Sequence, residues 1–238
     1  MGVGTRAQYY DNYGQLRDLV QSHVLQLLSL VLCSLPESLD SESVMRAKLE
    51  ILKNLKVLDF EKDIIRGQYT SVLIRGDIIR GYREEDVSIA NSLTETFVNI
   101  RARLDLPLWE NVDINLISGK GMQEKDTSIT LYFKSQEKIN GISSKNKLVF
   151  QLQPREGISL DLQVKRPGST DLDIVPMVFK YEDNFKVLLS GAYESLLSAF
   201  IILSEQGLQH HHWPKRYASL SLISRLFFCA FAMALGSA

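Results

Sequence analysis

Beyond Thr94 the apolar residues of this chain stop recurring every third or fourth position and begin to recur every second. Val98, Ile100, Ala102 and Leu104 alternate with polar neighbours, as do Val112, Ile114 and Leu116. The pattern repeats at Ile129, Leu131 and Phe133, at Leu148, Phe150 and Leu152, at Ile158, Leu160, Leu162 and Val164, and at Met177, Phe179 and Tyr181. Side chains of a strand point to opposite faces in turn, so each run is a strand with one apolar face. Six such runs joined by short polar turns predict a mainly antiparallel sheet with one wet or partner-facing side. Helical patterns come before the strands, which places the chain in the α+β class: N-terminal helices packed on a large, mainly antiparallel β-sheet.

The helical part is dominated by Gly14 to Leu35. Leu16, Leu19, Val20, Leu27, Leu30 and Val31 form one stripe at α-helical spacing. Asn12 with Gln15 has the form of a capping box, and Pro36 stops the segment. His23 falls on the stripe and is expected to point inward. Asp18 lies about 140° away around an α-helix, so the two would flank one wall of a cleft without touching. Asp40 opens a second helix with Val44, Ala47, Ile51 and Leu55 on one side. The charged stretch 59–90 reads as loop and contains a near-repeat, DIIRGQY at 63–69 and DIIRGYR at 77–83. Helical spacing returns from Ser190 to about Ser204.

The whole-chain numbers narrow the function classes. Lys and Arg total 27 against 28 Asp and Glu, so no net charge points to nucleic acid or an acidic membrane. A composition 45% hydrophobic and 23% charged is that of a globular chain able to bury a core. Cys33 and Cys229 lie in apolar runs without metal-ligand spacing, which fits a reducing cytoplasm and excludes a disulfide framework. No metal site is expected. The N-terminus lacks the regions of a signal peptide. Gly2, Gly4 and Ala7 spell G-x-G-x-x-A, but a dinucleotide loop needs a strand before its first glycine, and only Met1 precedes Gly2. The triple His210, His211 and His212 lacks the spacing for a shared metal. The apolar run Leu220 to Leu235 contains Arg225 and is short of the roughly 20 residues a membrane span needs.

The opening GVGTRAQYYDNYGQLRDLVQSHVLQLLSLV resembles the start of the C-terminal domain of glucose-6-phosphate dehydrogenase, an RxxYYDxxGxLRDxxQxHxLQ run. The resemblance continues through RGQY at 66–69, GYREE at 81–85, TETFV at 94–98, SGKG at 118–121, QPREGI at 153–158, KRPG at 165–168 and AYESLL at 192–197. It implies a family domain over 1–197 and a non-family tail over 198–238, with a shifted reading frame as one origin of that tail.

The resemblance also implies chemistry. It makes His23 the general base and Asp18, Lys120, Lys125 and Gln153 substrate-binding residues, for a reaction oxidising glucose 6-phosphate to 6-phosphogluconolactone in the pentose phosphate pathway. The cofactor would be NADP or NAD, bound mainly by an N-terminal domain that carries a RIDHYLGKE-like run not found in this sequence. A cytoplasmic homodimer formed through the sheet is expected, and the chain alone is expected to be inactive. The alternative is a truncated paralogue that keeps only the dimerisation sheet. Three positions depart from the family pattern: Ile117 stands where an arginine is expected, Asp113 where a proline is expected, and Ser22 where asparagine is common.

Overall fold

The computed structural model describes residues 2–184 apart from 35, 37, 39, 75, 76, 87, 88, 134–145 and 170. The helix expected at 190–204 and the tail at 198–238 therefore lie outside the described residues. The chain divides into two compact units, Met1–Gln123 and Glu124–Ala238.

The first unit opens with helix α1, Ala7–Gln15, which starts well before the sequence pattern suggested. Asn12 is no cap: it sits inside α1 and its Nδ2 donates to the Gln8 carbonyl at 3.1 Å. Gly14 then breaks the helix with φ 67° and ψ 177°. That backbone region is essentially reserved for glycine. A Cβ there would also lie 2.6 Å from Glu95 Oε1. The chain resumes as a π-helical segment, Leu16–Val24, and passes into helix α2, Leu25–Leu32. One long α-helix from Gly14 to Leu35 is thus replaced by two windings beyond a kink. The end of α2 is closed by Trp109, whose indole N–H donates to the Leu32 carbonyl at 3.0 Å.

Helix α3, Ser41–Asn54, begins where the sequence placed it. Asp40 caps it, accepting from the Glu42 and Ser43 amides at 3.0 and 2.9 Å. The stretch read as loop holds strand structure instead. After β1, Leu55–Lys56, come β2, Ile64–Gly67, then β3, Val72–Ile74, and β4, Asp77–Ile79. Each half of the near-repeat therefore supplies a strand. The first pairs with β5, Phe97–Leu104, and the second pairs with β3 in an isolated hairpin.

Strand β5 is the centre of the first unit's sheet. It pairs antiparallel with β1, with β2 and with β6, Ile114–Gly119. Val98, Ile100, Ala102 and Leu104 of β5 are buried, with Ile114 and Leu116 of β6, against Val20, Leu32 and Ile51 of the helices. Fully burying a side chain of this kind contributes about 1.5–3 kcal/mol. A second cluster gathers Val3, Ala7, Tyr10, Tyr82 and Ile89, with Tyr69 packed against it. The tyrosines of three separate sequence motifs thus share one core.

The second unit is an antiparallel meander of β7, Thr127–Tyr132, β8, Lys147–Gln153, β9, Gly157–Lys165, and β10, Leu172–Lys180, followed by the short helix α4, Tyr181–Asn184. Leu148, Phe150, Leu152, Ile158 and Leu160 are buried. In contrast, Ile174, Val175, Met177 and Val178 of β10 are exposed. All described strand pairs are antiparallel, as the alternation required, and they form two four-stranded sheets and a hairpin. Val112, Phe133 and Tyr181 fall just outside the strands assigned to them.

Candidate active site

Three of the sequence motifs meet at one end of the β5–β6 pair. The Thr96 amide donates to the Gly67 carbonyl at 2.8 Å, and the Lys120 amide donates to the Thr96 carbonyl at 2.8 Å. The Tyr69 amide donates to Thr96 Oγ1 at 3.0 Å. Along β6, Ile114, Leu116 and Ser118 share one face, and Lys120 continues that row just past the strand end. The row thus runs from apolar core to hydroxyl to cation. Gly121 turns the chain immediately afterwards with φ 65°, so close to Tyr69 that a Cβ would lie 2.6 Å from the ring.

Lys120 Nζ lies 3.7 Å from Asp18 Oδ2 and 5.8 Å from the centroid of the Tyr10 ring. The two charged side chains are 21% and 31% exposed, so solvent reaches both. Such a pair contributes at most about 1 kcal/mol to stability. Its oxygens and ammonium stay available to a ligand. Below it, Gln15 is fully buried and makes two contacts: its Oε1 accepts from the Tyr10 hydroxyl at 2.6 Å, and its Nε2 donates to Ser118 Oγ at 2.6 Å. Burial, and then the charges of Glu95 and Asp18, push the Tyr10 phenol well above its usual range. It remains a neutral hydrogen-bonding group.

The π winding changes the relation of Asp18 to His23. In this winding an amide reaches the carbonyl five residues back, as Leu25 N–H does to Val20 O. Asp18 and His23, five apart, are therefore closer around the axis than the roughly 140° that would separate them on an α-helix. His23 is exposed rather than buried on the stripe. The inward stripe consists of Leu16, Val20, Val24, Leu25, Leu28 and Val31. The Ser22 hydroxyl bonds back to the Asp18 carbonyl, a local contact that a residue of this type makes inside a helix.

Lys125 and Gln153 belong to the second unit. Lys125 is exposed just before β7, and Gln153 is the last residue of β8, paired across from Thr127 at the start of β7. They therefore occupy the same end of that sheet. Tyr10, Glu95 and Ser118 were not singled out from the sequence, and Gln15 was read only as half of a capping box with Asn12. The signal was that all four lie inside the quoted motifs. Of the departures, Ile117 is 58% exposed and registers with Asn99, whose buried Oδ1 has no partner among the described residues. Asp113 is paired with Arg103 at 2.8 Å.

Gly2, Gly4 and Ala7 lead into a short 3-10 turn and α1. The Gly4 amide is already taken by Glu85 Oε2 at 2.6 Å, and the Tyr69 hydroxyl donates to the other oxygen of that carboxylate at 2.6 Å. A pyrophosphate would meet this negative charge, so the stretch does not fit a nicotinamide nucleotide. Among the described residues no group of three or more His, Cys, Asp or Glu is placed to hold a metal ion. No described helix is long and apolar enough to cross a membrane.

A family model described as glucose-6-phosphate dehydrogenase, C-terminal domain, matches residues 1–213. The chain belongs to this family. The glucose-6-phosphate 1-dehydrogenase of Borreliella burgdorferi is 35% identical over 205 residues, covering 83% of this chain and 43% of that protein. That of Rhizobium meliloti is 37% identical over 208 residues, covering 83% and 42%. Among solved structures, a glucose-6-phosphate dehydrogenase in complex with its substrate glucose-6-phosphate aligns with TM-score 0.72 at 29% identity, covering 84% of this chain and 42% of that one. Glucose-6-phosphate 1-dehydrogenase from Mycobacterium avium aligns with TM-score 0.66 at 27% identity, covering 84% and 41%. This glucose-6-phosphate dehydrogenase C-terminal domain thus spans less than half the length of the relatives it matches.

Proposed function

We propose that this chain is the sugar-phosphate-binding and proton-transferring part of a glucose-6-phosphate dehydrogenase. The observation that carries the reading is the Asp18–Lys120 pair at 3.7 Å, with His23 exposed on the same π-helical segment as Asp18. Oxidation at C1 of glucose 6-phosphate removes the hydroxyl proton and a hydride to give 6-phosphogluconolactone. An imidazole can accept a proton near neutral pH, and in this reading His23 takes the C1 hydroxyl proton. Asp18 accepts hydrogen bonds from sugar hydroxyls, and Lys120 places a positive charge against the anionic ligand. Lys125 and Gln153, at one end of their own sheet, are further candidates for substrate contact.

NADP or NAD, when bound, supplies the hydride acceptor. The Gly2–Ala7 stretch does not fit it, so the roles assigned to this chain stop at binding the sugar phosphate and moving the proton. Exposed apolar residues of β10, Ile174, Val175, Met177 and Val178, support the reading that the second sheet also serves a homodimer. The sequence motifs place the end of the family domain at 197 and a tail at 198–238, while the family model's match runs on to residue 213.

The test has two parts. Titration of the chain with glucose 6-phosphate is expected to shift the side-chain resonances of Asp18 and Lys120, and unmoved resonances at saturating ligand would sink the substrate reading. Supplied with the nucleotide-binding half of a relative, the chain should support cofactor reduction, and His23→Asn should lower turnover about 10²–10⁴-fold, the usual contribution of a general base. A His23→Asn variant as fast as the parent would show that the base lies elsewhere.

A further inference from the structure

We infer that Gln15 is a positioning residue whose buried amide sets the distance between Asp18 and Lys120. Gln15 ties together the two elements that carry these charges. Its amide N–H donates to the Glu95 carbonyl at 3.1 Å, which fixes the chain at the start of the π-helical segment three residues before Asp18. Its side-chain Nε2 donates to Ser118 Oγ at 2.6 Å, two residues before Lys120 on the same face of β6. Its Oε1 accepts from Tyr10, whose ring lies beneath the Lys120 ammonium.

Each end of the site is thus referred to one fully buried residue, one end through its backbone N–H and the other through its side-chain amide. The neighbouring geometry reinforces the tie. Glu95 Oε1 accepts from the Leu16 amide at 3.1 Å, so the first residue of the π winding is held by the same strand end. The Tyr10 hydroxyl is 3.1 Å from the Glu95 carbonyl and 2.6 Å from Gln15 Oε1, so its one proton faces two acceptors. A leucine at position 15 would fill similar space, but it would leave the Ser118 hydroxyl without this partner and Tyr10 with one acceptor instead of two. The start of the π-helical segment would keep its backbone bond to Glu95, but it would lose its directional hydrogen-bonded tie to β6.

This inference rests on the reading of Asp18 and Lys120 as sugar-phosphate contacts, but the spacing it asserts is tested without any ligand. A ring current from Tyr10 should displace the Lys120 side-chain methylene resonances upfield of those of exposed lysines in the chain. In Gln15→Leu most of that displacement should disappear while the core amide spectrum is kept. Because Gln15→Leu takes a partner from both hydroxyls, a second variant, Gln15→Leu with Ser118→Ala and Tyr10→Phe, replaces the whole polar tie with apolar groups and keeps an aromatic ring at position 10. It should fold and likewise lose the displacement. A Lys120 signal unmoved in either folded variant would overturn the inference. Unfolding of both variants would also overturn it, because Gln15 would then be holding the core rather than aiming the site. A failed glucose 6-phosphate titration would remove the substrate reading and leave this spacing intact, so the two failures are distinct.

Discussion

Asp11 and Asp18 lie on either side of the Gly14 kink, and the chain treats their carboxylates in opposite ways. Asp11 Oδ1 accepts from the fully buried Tyr82 at 2.8 Å and also from the Ser92 hydroxyl, while the Thr94 hydroxyl donates to the Asp11 carbonyl at 2.8 Å. Through Oδ1 and the backbone carbonyl, Asp11 is a joint that fastens α1 to two loops. Asp18 has one long ion pair and a partly exposed carboxylate. Polar groups that hold a fold are met on short, directional bonds, because an unmet buried group costs about 1–3 kcal/mol. Groups that meet a ligand have to stay under-committed until it arrives. The kink lets one run of residues supply both kinds.

The comparison is easiest to break at Asp11. Asp11→Ala removes the acceptor of Tyr82 and Ser92 and should cost about 3 kcal/mol in urea unfolding. A loss below about 1 kcal/mol would mean that the joint does not hold in solution. Acid sharpens the same point. Burial pushes the Asp11 carboxyl up, but hydrogen bonds from Ser92, Tyr82 and Thr94 outweigh it and hold it below the usual 3.8. Its contribution to stability is therefore complete above that ordinary value and is lost as pH falls through the lower folded one. Urea midpoints measured downward from about pH 6 should fall on this acid limb, and Asp11→Asn should flatten it. An unchanged limb in Asp11→Asn would assign acid loss to other carboxylates.

An intermediate case lies on the outer face of the first sheet. Ile117→Arg would bring a donor to the unpartnered Asn99 Oδ1 and should gain about 1 kcal/mol in thermal or urea unfolding. No gain would show that water already meets that oxygen. The smallest effect belongs to Asp18. Asp18→Asn should change stability by no more than about 0.5 kcal/mol, as for an exposed pair, while weakening glucose 6-phosphate binding. A large loss of stability would place Asp18 with Asp11 among the structural carboxylates.

The parts of this fold that were legible in the sequence are those where one residue in two is buried. Val98, Ile100, Ala102 and Leu104 announce β5 because each meets the core in turn. The hairpin of β3 and β4 was missed for the opposite reason: Val72, Leu73, Ile78 and Ile79 are all exposed, so no alternation marks them. Asp40 was legible as a cap because its role needs only the next two or three amides. Asp11 was not, because its partners lie far along the chain at Tyr82 and Ser92. His23 was placed inward because a stripe was counted at 3.6 residues per turn, and the π winding does not keep that count. The motifs supplied the identity of Lys120, while Gln15, read from the sequence as half of a capping box, showed its bond to Ser118 only when β6 and α1 were brought together.

A segment wound with bonds to the fifth residue behaves like a gear with one tooth added. From Leu16 to Val24 a substitution changes a single tooth, whereas the loss of one residue would let the segment relax to the common pitch and turn everything after it. Asp18 and His23 would then face different directions although both remained in the sequence. An alignment scored by residue identity would rate such a deletion as minor, yet the two groups it separates are those proposed to hold the sugar and take its proton. In relatives of this chain, the number of residues between Gly14 and Leu25 is therefore as informative as their identity.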